Sequence, residues 1–264
     1  MKKKYILILV IALIISLVSL HVYFNKSIHT FKIEPRTSYV GKTKIGDESD
    51  FEVMGWIKVQ GTNIDYPLIR TDNDKSIFPV ELESFAWSTN YDNLFHNRIF
   101  IIGHNIFNLS SKPKLNDERF TRFEELMNFV YYDFAKENQY IQLTIDGKDY
   151  VYKIFSVGFL KESEVYGFPF HDDYTKKEMK DYIRVMNKFN IYQYDVDVNE
   201  NDKVISLNTC TRFFGPDSKK EFYVNGRLLR DGENTRNYKV TKSKNYKAIE
   251  DIWEGEEKDE ESSM

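Results

Sequence analysis

Residues 139–158 read QYIQLTIDGKDYVYKIFSVG. β-Branched and aromatic residues dominate both halves, and Asp146-Gly147 lies between them. Asp-Gly suits a two-residue hairpin turn because both central positions need positive φ. The stretch therefore predicts two strands, 139–146 and 149–158, joined tightly.

Other segments extend this reading. Residues 51–71, FEVMGWIKVQGTNIDYPLIRT, read as two short strands around Gly61-Thr62-Asn63. RIFIIG at 98–103 reads as a buried strand ending at Gly103-His104-Asn105. KVISL at 203–207 and EFYVNGRLL at 221–229 read as two more. Helix signals are fewer. Thr175 and Glu178 have capping-box spacing, and Met179, Tyr182, Ile183, Met186 and Phe189 then share one face, predicting a helix over 174–189. Its apolar stripe reads as core packing. Phe123, Leu126 and Met127 suggest a short helix near 120–130. The expected body is mostly antiparallel β with one inserted amphipathic helix. No repeat or Ser/Gly-rich linker divides 40–230, so it reads as one domain.

Composition agrees and excludes much else. A chain of 264 residues, 41% hydrophobic and 30% charged, suits one large domain or two small ones. It is neither collagen-like nor wholly disordered. The aromatic share, with 18 Tyr and 20 Phe, favours strands. A net charge of −4 gives no basic character for nucleic acid. A single cysteine excludes an intramolecular disulfide and an all-cysteine zinc site.

The charge sits at the ends. Lys2, Lys3 and Lys4 precede Tyr5–Phe24, a run without Asp, Glu, Lys or Arg. Twenty helical residues span roughly 30 Å, about one bilayer core. Residues 1–25 thus read as an uncleaved single-pass membrane anchor with a cytoplasmic N-terminus and an extracellular body. No A-x-A-like pattern follows to favour a cleaved signal peptide, the competing reading. Residues 26–44 read as a linker and 45–230 as the folded body. Residues 231–264 read as a polar, disordered tail, with eight carboxylates and one lysine in the last fifteen positions.

Cys210 ends the strand-like stretch SLNTC, and His104 ends another strand after a glycine. A lone cysteine is often a buried small hydrophobe. An extracellular thiol is exposed to oxidation, so a retained one at a strand end suggests use. A Cys–His pair suits acyl transfer, the sulfur attacking a carbonyl and the imidazolium protonating the leaving amine. With unperturbed pKa values, about 3% of such thiols and about 24% of such imidazoles are charged at pH 7. A nearby cation would raise the thiolate share. His21 and His29 flank the anchor, and His96 and His171 read as surface residues. No HExxH or EF-hand pattern occurs, so no metal is expected.

These residues together resemble the sortases, class B. SLNTC (206–210) is similar to the family's TLxTC strand end, and IIGHN (101–105) to the strand ending in its catalytic His. GWIKVQGTNIDYPLI (55–69), YIQLTIDGKDYVYKIFSV (140–157), the helix at 174–189 and DVDVNENDKVISLNTC (195–210) resemble class B segments in the same order. The resemblance spans roughly 45–230. It implies an eight-stranded β-barrel with an N-terminal helical region and an inserted helix, and a membrane-anchored transpeptidase without cofactor. Such an enzyme cleaves a sorting motif near the C-terminus of a secreted protein through a Cys thioester. An amine from a cell-wall precursor or another protein then accepts the acyl group.

By position, Cys210 would be the nucleophile, His104 the acid/base, and Thr209 would help shape the oxyanion site. The family's Arg early in the next strand is missing. Alignment on Gly226-Arg227-Leu228 puts Glu221 there, and a carboxylate opposes a thiolate. Arg212, in the loop after Cys210, is the first substitute, with Lys219 and Lys220 behind it. Arg227 lies six residues along the strand from Glu221, roughly 20 Å, too far. Glu221 also motivates a rival, a non-catalytic or weakly active surface protein on this fold. A hydrolytic cysteine peptidase is the third reading.

Overall fold

The computed structural model describes residues 11–16, 30–33, 41–44, 50–70, 86–88, 96–165, 168 and 173–262. Eleven strands occur among them: β1 (Gly41–Lys44), β2 (Asp50–Val59), β3 (Asp65–Arg70), β4 (Ala86–Ser88), β5 (Arg98–Ile102), β6 (Tyr140–Ile145), β7 (Lys148–Lys161), β8 (Tyr192–Tyr194), β9 (Val204–Cys210), β10 (Lys220–Leu228) and β11 (Val240–Lys242). A 3-10 helix, Glu124–Val130, leads into α1 (Tyr132–Glu137). The other helices are α2 (Glu162–Val165), α3 (Lys176–Phe189) and α4 (Lys247–Ser262).

Nine strands form one curled sheet in the order β1-β2-β3-β4-β5-β9-β10-β7-β6, and β6 pairs again with β2. The pairing thus returns on itself through eight strands, with β1 attached outside. Two pairs, β3–β4 and β5–β9, are parallel; the rest of this sheet is antiparallel. The β6–β7 hairpin turns at Asp146 (φ 48°) and Gly147 (φ 71°), the double positive φ that Asp-Gly favours.

Both faces around β9 are covered. Leu207, Phe222, Val224, Val157 and Ile101 pack in the interior. Phe100, Leu160 and Tyr223 face outward beneath Met179, Tyr182 and Met186 of α3. This explains why β9 is buried at every position except Cys210 and shows no alternation. α3 starts with the expected reciprocal cap: the Thr175 hydroxyl accepts from Glu178 N–H, and the Glu178 carboxylate accepts from Thr175 N–H.

Two expectations are corrected. Residues 231–262 are not a disordered tail. β11 pairs with β8, and Tyr246 and Ile249 enter the core, with Ile252 and Trp253 packed against it. The acidic residues of α4 conceal an apolar row at helical spacing. His96, expected at the surface, is buried, with Nδ1 3.8 Å from Asp173.

Residues 11–16 of the N-terminal apolar run are helical and exposed. The rest of the expected anchor, most of the 26–44 linker, His21, His29 and His171 lie outside the described residues, as does most of the expected N-terminal helical region. Among the described residues, no helix is long and apolar enough to cross a membrane.

Candidate active site

The site is built where β5 and β9 run side by side. Their parallel register aligns Ile102 with Asn208, so His104 and Cys210, each two residues further, leave adjacent strand ends. Neighbouring strands lie about 4.8 Å apart. Gly103 N–H continues the ladder by donating to Asn208 O at 3.1 Å. Beyond it, Asn105 Nδ2 donates to Cys210 O at 3.0 Å and to Asn108 O at 2.9 Å. Arg212 N–H then donates to Leu109 O, joining the loops that follow the two strands.

The His104 strand end is pinned from behind. Phe123 N–H donates to His104 O at 2.9 Å. The Phe123 ring packs so closely on Gly103 that a Cβ there would lie 2.1 Å from it. The fully buried Glu124 carboxylate accepts from Arg122 N–H at 2.8 Å and Ile106 N–H at 3.3 Å. Residues 104–106 and 122–124 thus form one tied unit.

Cys210 is exposed and His104 half-buried. Burial, and secondarily the Arg122 charge, push the His104 pKa below the ordinary histidine value. Arg122 is itself buried. Glu221 is the direct cross-strand partner of Cys210. Its buried carboxylate accepts from Asn208 Nδ2. Side chains two apart on a strand share a face, so Asn208 and Cys210 lie on Glu221's side of the sheet.

Thr209, the residue before Cys210 on β9, has its side chain on the other face of the sheet. It is fully buried, and its hydroxyl donates to Gly103 O at 2.7 Å. Its alternate parity turns it towards the core, where it ties β9 to the His104 strand. Arg227 is buried at the far end of β10 and paired with Glu233. Lys220 lies with Nζ 3.7 Å from the Phe214 ring centroid, its pKa lowered by burial and then by Lys161. Lys219 and Arg212 are exposed. Arg122, which carries no local sequence signal, is the cation whose charge reaches His104. Asn105 is legible as the residue after His104, but its bond to Cys210 is not. Among the described residues, no group of three or more His, Cys, Asp or Glu side chains could hold a metal ion.

No family model matches the sequence. Staphylococcus aureus Sortase B is 21% identical over 178 residues, 64% of this chain and 67% of that protein. Among solved structures, Clostridium perfringens sortase B has a TM-score of 0.52 and 23% identity, covering 67% of this chain and 94% of that one. The Staphylococcus aureus sortase B–substrate complex has a TM-score of 0.54 and 16% identity, covering 68% and 81%. A sortase B complexed with triglycine has a TM-score of 0.53 and 16% identity, also covering 68% and 81%. The chain has the fold of these sortase B structures and is similar in sequence to Staphylococcus aureus Sortase B over that region.

Proposed function

We propose that this protein is a cysteine transpeptidase of the sortase type. The observation that carries the reading is the convergence of an exposed Cys210 and a half-buried His104 on adjacent parallel strand ends, tied by Asn105. Cys210 is the nucleophile and His104 the acid/base. Burial and Arg122 disfavour a charged His104. His104 takes the thiol proton as the sulfur bonds to the substrate carbonyl carbon. The tetrahedral adduct expels the amine, which receives that proton from His104, and a thioester remains. A second amine attacks the thioester, gives its proton to His104, and the sulfur leaves and regains a proton.

The acyl donor in this reading is a secreted protein with a C-terminal sorting motif. The acceptor is an amine from a cell-wall precursor or another protein. A sortase B solved with triglycine supports a small amine-bearing acceptor for that relative. The apolar run Tyr5–Phe24 behind three lysines supports a single-pass anchor holding the domain outside the membrane.

The test incubates the full chain with sorting-signal peptides, with and without triglycine, and weighs the products. An amine-dependent ligated product is expected, lost in Cys210→Ala and reduced at least about 100-fold in His104→Ala. Cleavage with water as the only acceptor would make the protein a hydrolytic peptidase. Glu221 opposite Cys210 favours a second reading, a non-catalytic surface protein. Failure of a thiol-reactive sorting-peptide analogue to label Cys210, together with no cleavage, would establish that reading.

A further inference from the structure

The C-terminal helix reaches the loops that carry the Cys–His pair. Trp253 Nε1–H donates to Ser111 O at 2.8 Å. Nearly one helical turn later, Glu256 accepts from the Ser111 hydroxyl and lies 3.7 Å from Lys112 Nζ. The Trp253 ring stacks on Tyr131 with centroids 5.6 Å apart and planes at 15°. Tyr131 in turn donates its hydroxyl to Pro113 O at 2.6 Å. The loop from Asn105 to Leu115 is therefore fixed at both ends. Asn105 binds Cys210 O at its start, while α4 and Tyr131 hold residues 111–113.

The same tryptophan touches the other loop. Its ring meets Phe213 edge-on at 6.3 Å, and Phe213 is three residues past Cys210. Phe213 is buried against Phe159, 4.9 Å between centroids. One indole thus contacts both the segment leaving His104 and the segment leaving Cys210. The acidic sequence around it is the solvated side of a working helix, and the tryptophan is held from three directions.

We propose that α4 is a brace for the active site, with Trp253 as the positioning residue that keeps the His104 loop and the Cys210 loop in register. The proposal rests on the reading of Cys210 and His104 as a catalytic pair. Without the brace, residues 109–113 lose their outer support. The Asn105–Cys210, Arg212–Leu109, Asn108–Lys114 and Tyr131–Pro113 bonds then hold the loops without the helix, and the imidazole samples positions away from the sulfur.

The test uses the full chain and two readouts, Cys210 alkylation by iodoacetamide against pH and cleavage of a sorting-signal peptide. Trp253→Ala is expected to slow Cys210 alkylation about threefold or more at pH 7, because His104 is no longer held where it can take the thiol proton. It should lower kcat/KM about tenfold, mostly in kcat, while far-UV circular dichroism at 25 °C stays native. Trp253→Phe keeps the stacking without the N–H bond and should recover part of both losses. Glu256→Gln removes only the pairing with Lys112 and should change kcat/KM about two- to threefold in the same direction. Folded Trp253→Ala with an unchanged alkylation curve overturns the proposal. So does an unfolded Trp253→Ala accompanied by Trp253→Phe and Glu256→Gln that match the wild type in both readouts. Alkylation needs no peptide. A wild-type chain inert to peptides therefore counts against the transpeptidase reading, and the alkylation curves still decide the brace.

Discussion

Glu221 stands directly opposite Cys210 across the β9–β10 ladder, and Asn208 holds its carboxylate on the same face of the sheet. Paired residues on one face have Cβ atoms about 5 Å apart. A carboxylate in this position opposes a thiolate at Cys210. Glu221→Gln keeps an acceptor for Asn208 and removes that charge. The Cys210 pKa should fall, and alkylation by iodoacetamide at pH 7 should speed up about three- to tenfold, corresponding to ~0.5–1 pH unit. An unchanged rate would show that Glu221 is uncharged or screened.

Arg122 acts on the other member of the pair. Burial and the Arg122 charge both lower the His104 pKa, so Arg122→Gln should raise it. The acid limb of the kcat/KM profile should then move to higher pH, with a matching shift of the His104 ring resonance in an NMR titration. The lowered pKa also couples to stability. His104 contributes fully above the unfolded histidine value, about 6.5, and that contribution fades as pH falls through the folded value. The wild type should therefore lose more Tm than His104→Gln between pH 7 and pH 5.

Gly103 has no space for a side chain. A Cβ at 103 would enter the buried Phe123 ring, which the 3-10 helix behind it cannot release. Gly103→Ala should cost about 2 kcal/mol or more in urea unfolding, by overpacking. Activity should fall further than stability alone requires, because His104 is the next residue. Equal loss in both measurements would separate the glycine from the site.

Thr209 offers a milder probe of the same junction. Its hydroxyl bonds Gly103 O in a fully buried setting. Thr209→Val should lose about 1–2 kcal/mol, since the shape is kept and one buried bond is lost. Thr209→Ser should retain most of the stability and the kcat. A large kcat loss in Thr209→Val at unchanged stability would instead give the hydroxyl a direct part in the chemistry.

The parts of the fold legible in the sequence are those fixed by local chemistry. Asp146-Gly147 specifies its turn by the φ values it tolerates, and Thr175 with Glu178 specifies the start of α3. The Cys210 and His104 strand ends are readable as apolar runs stopping at polar residues. What escapes depends on distant partners. Ile249, Ile252 and Trp253 look incidental among carboxylates until Tyr131, Phe213 and Ser111 are brought beside them. Arg122 sits in an ordinary polar stretch, and the bonds from Phe123 to His104 and from Arg122 and Ile106 to Glu124 put it near the imidazole. The side-chain setting of Thr209 is not legible from its place beside Cys210, because strand parity sends consecutive side chains to opposite faces.

The parallel pairing of β5 with β9 has a consequence for quality control. About a hundred residues separate the two strands, so the pairing forms only after the intervening hairpin and helix are in place or displaced around it. A slip of one residue in β9 would turn Cys210 inward and expose Thr209 in its stead. Misassembled copies would thus hide their sulfur, and chemical competence would itself certify that the sheet has closed correctly.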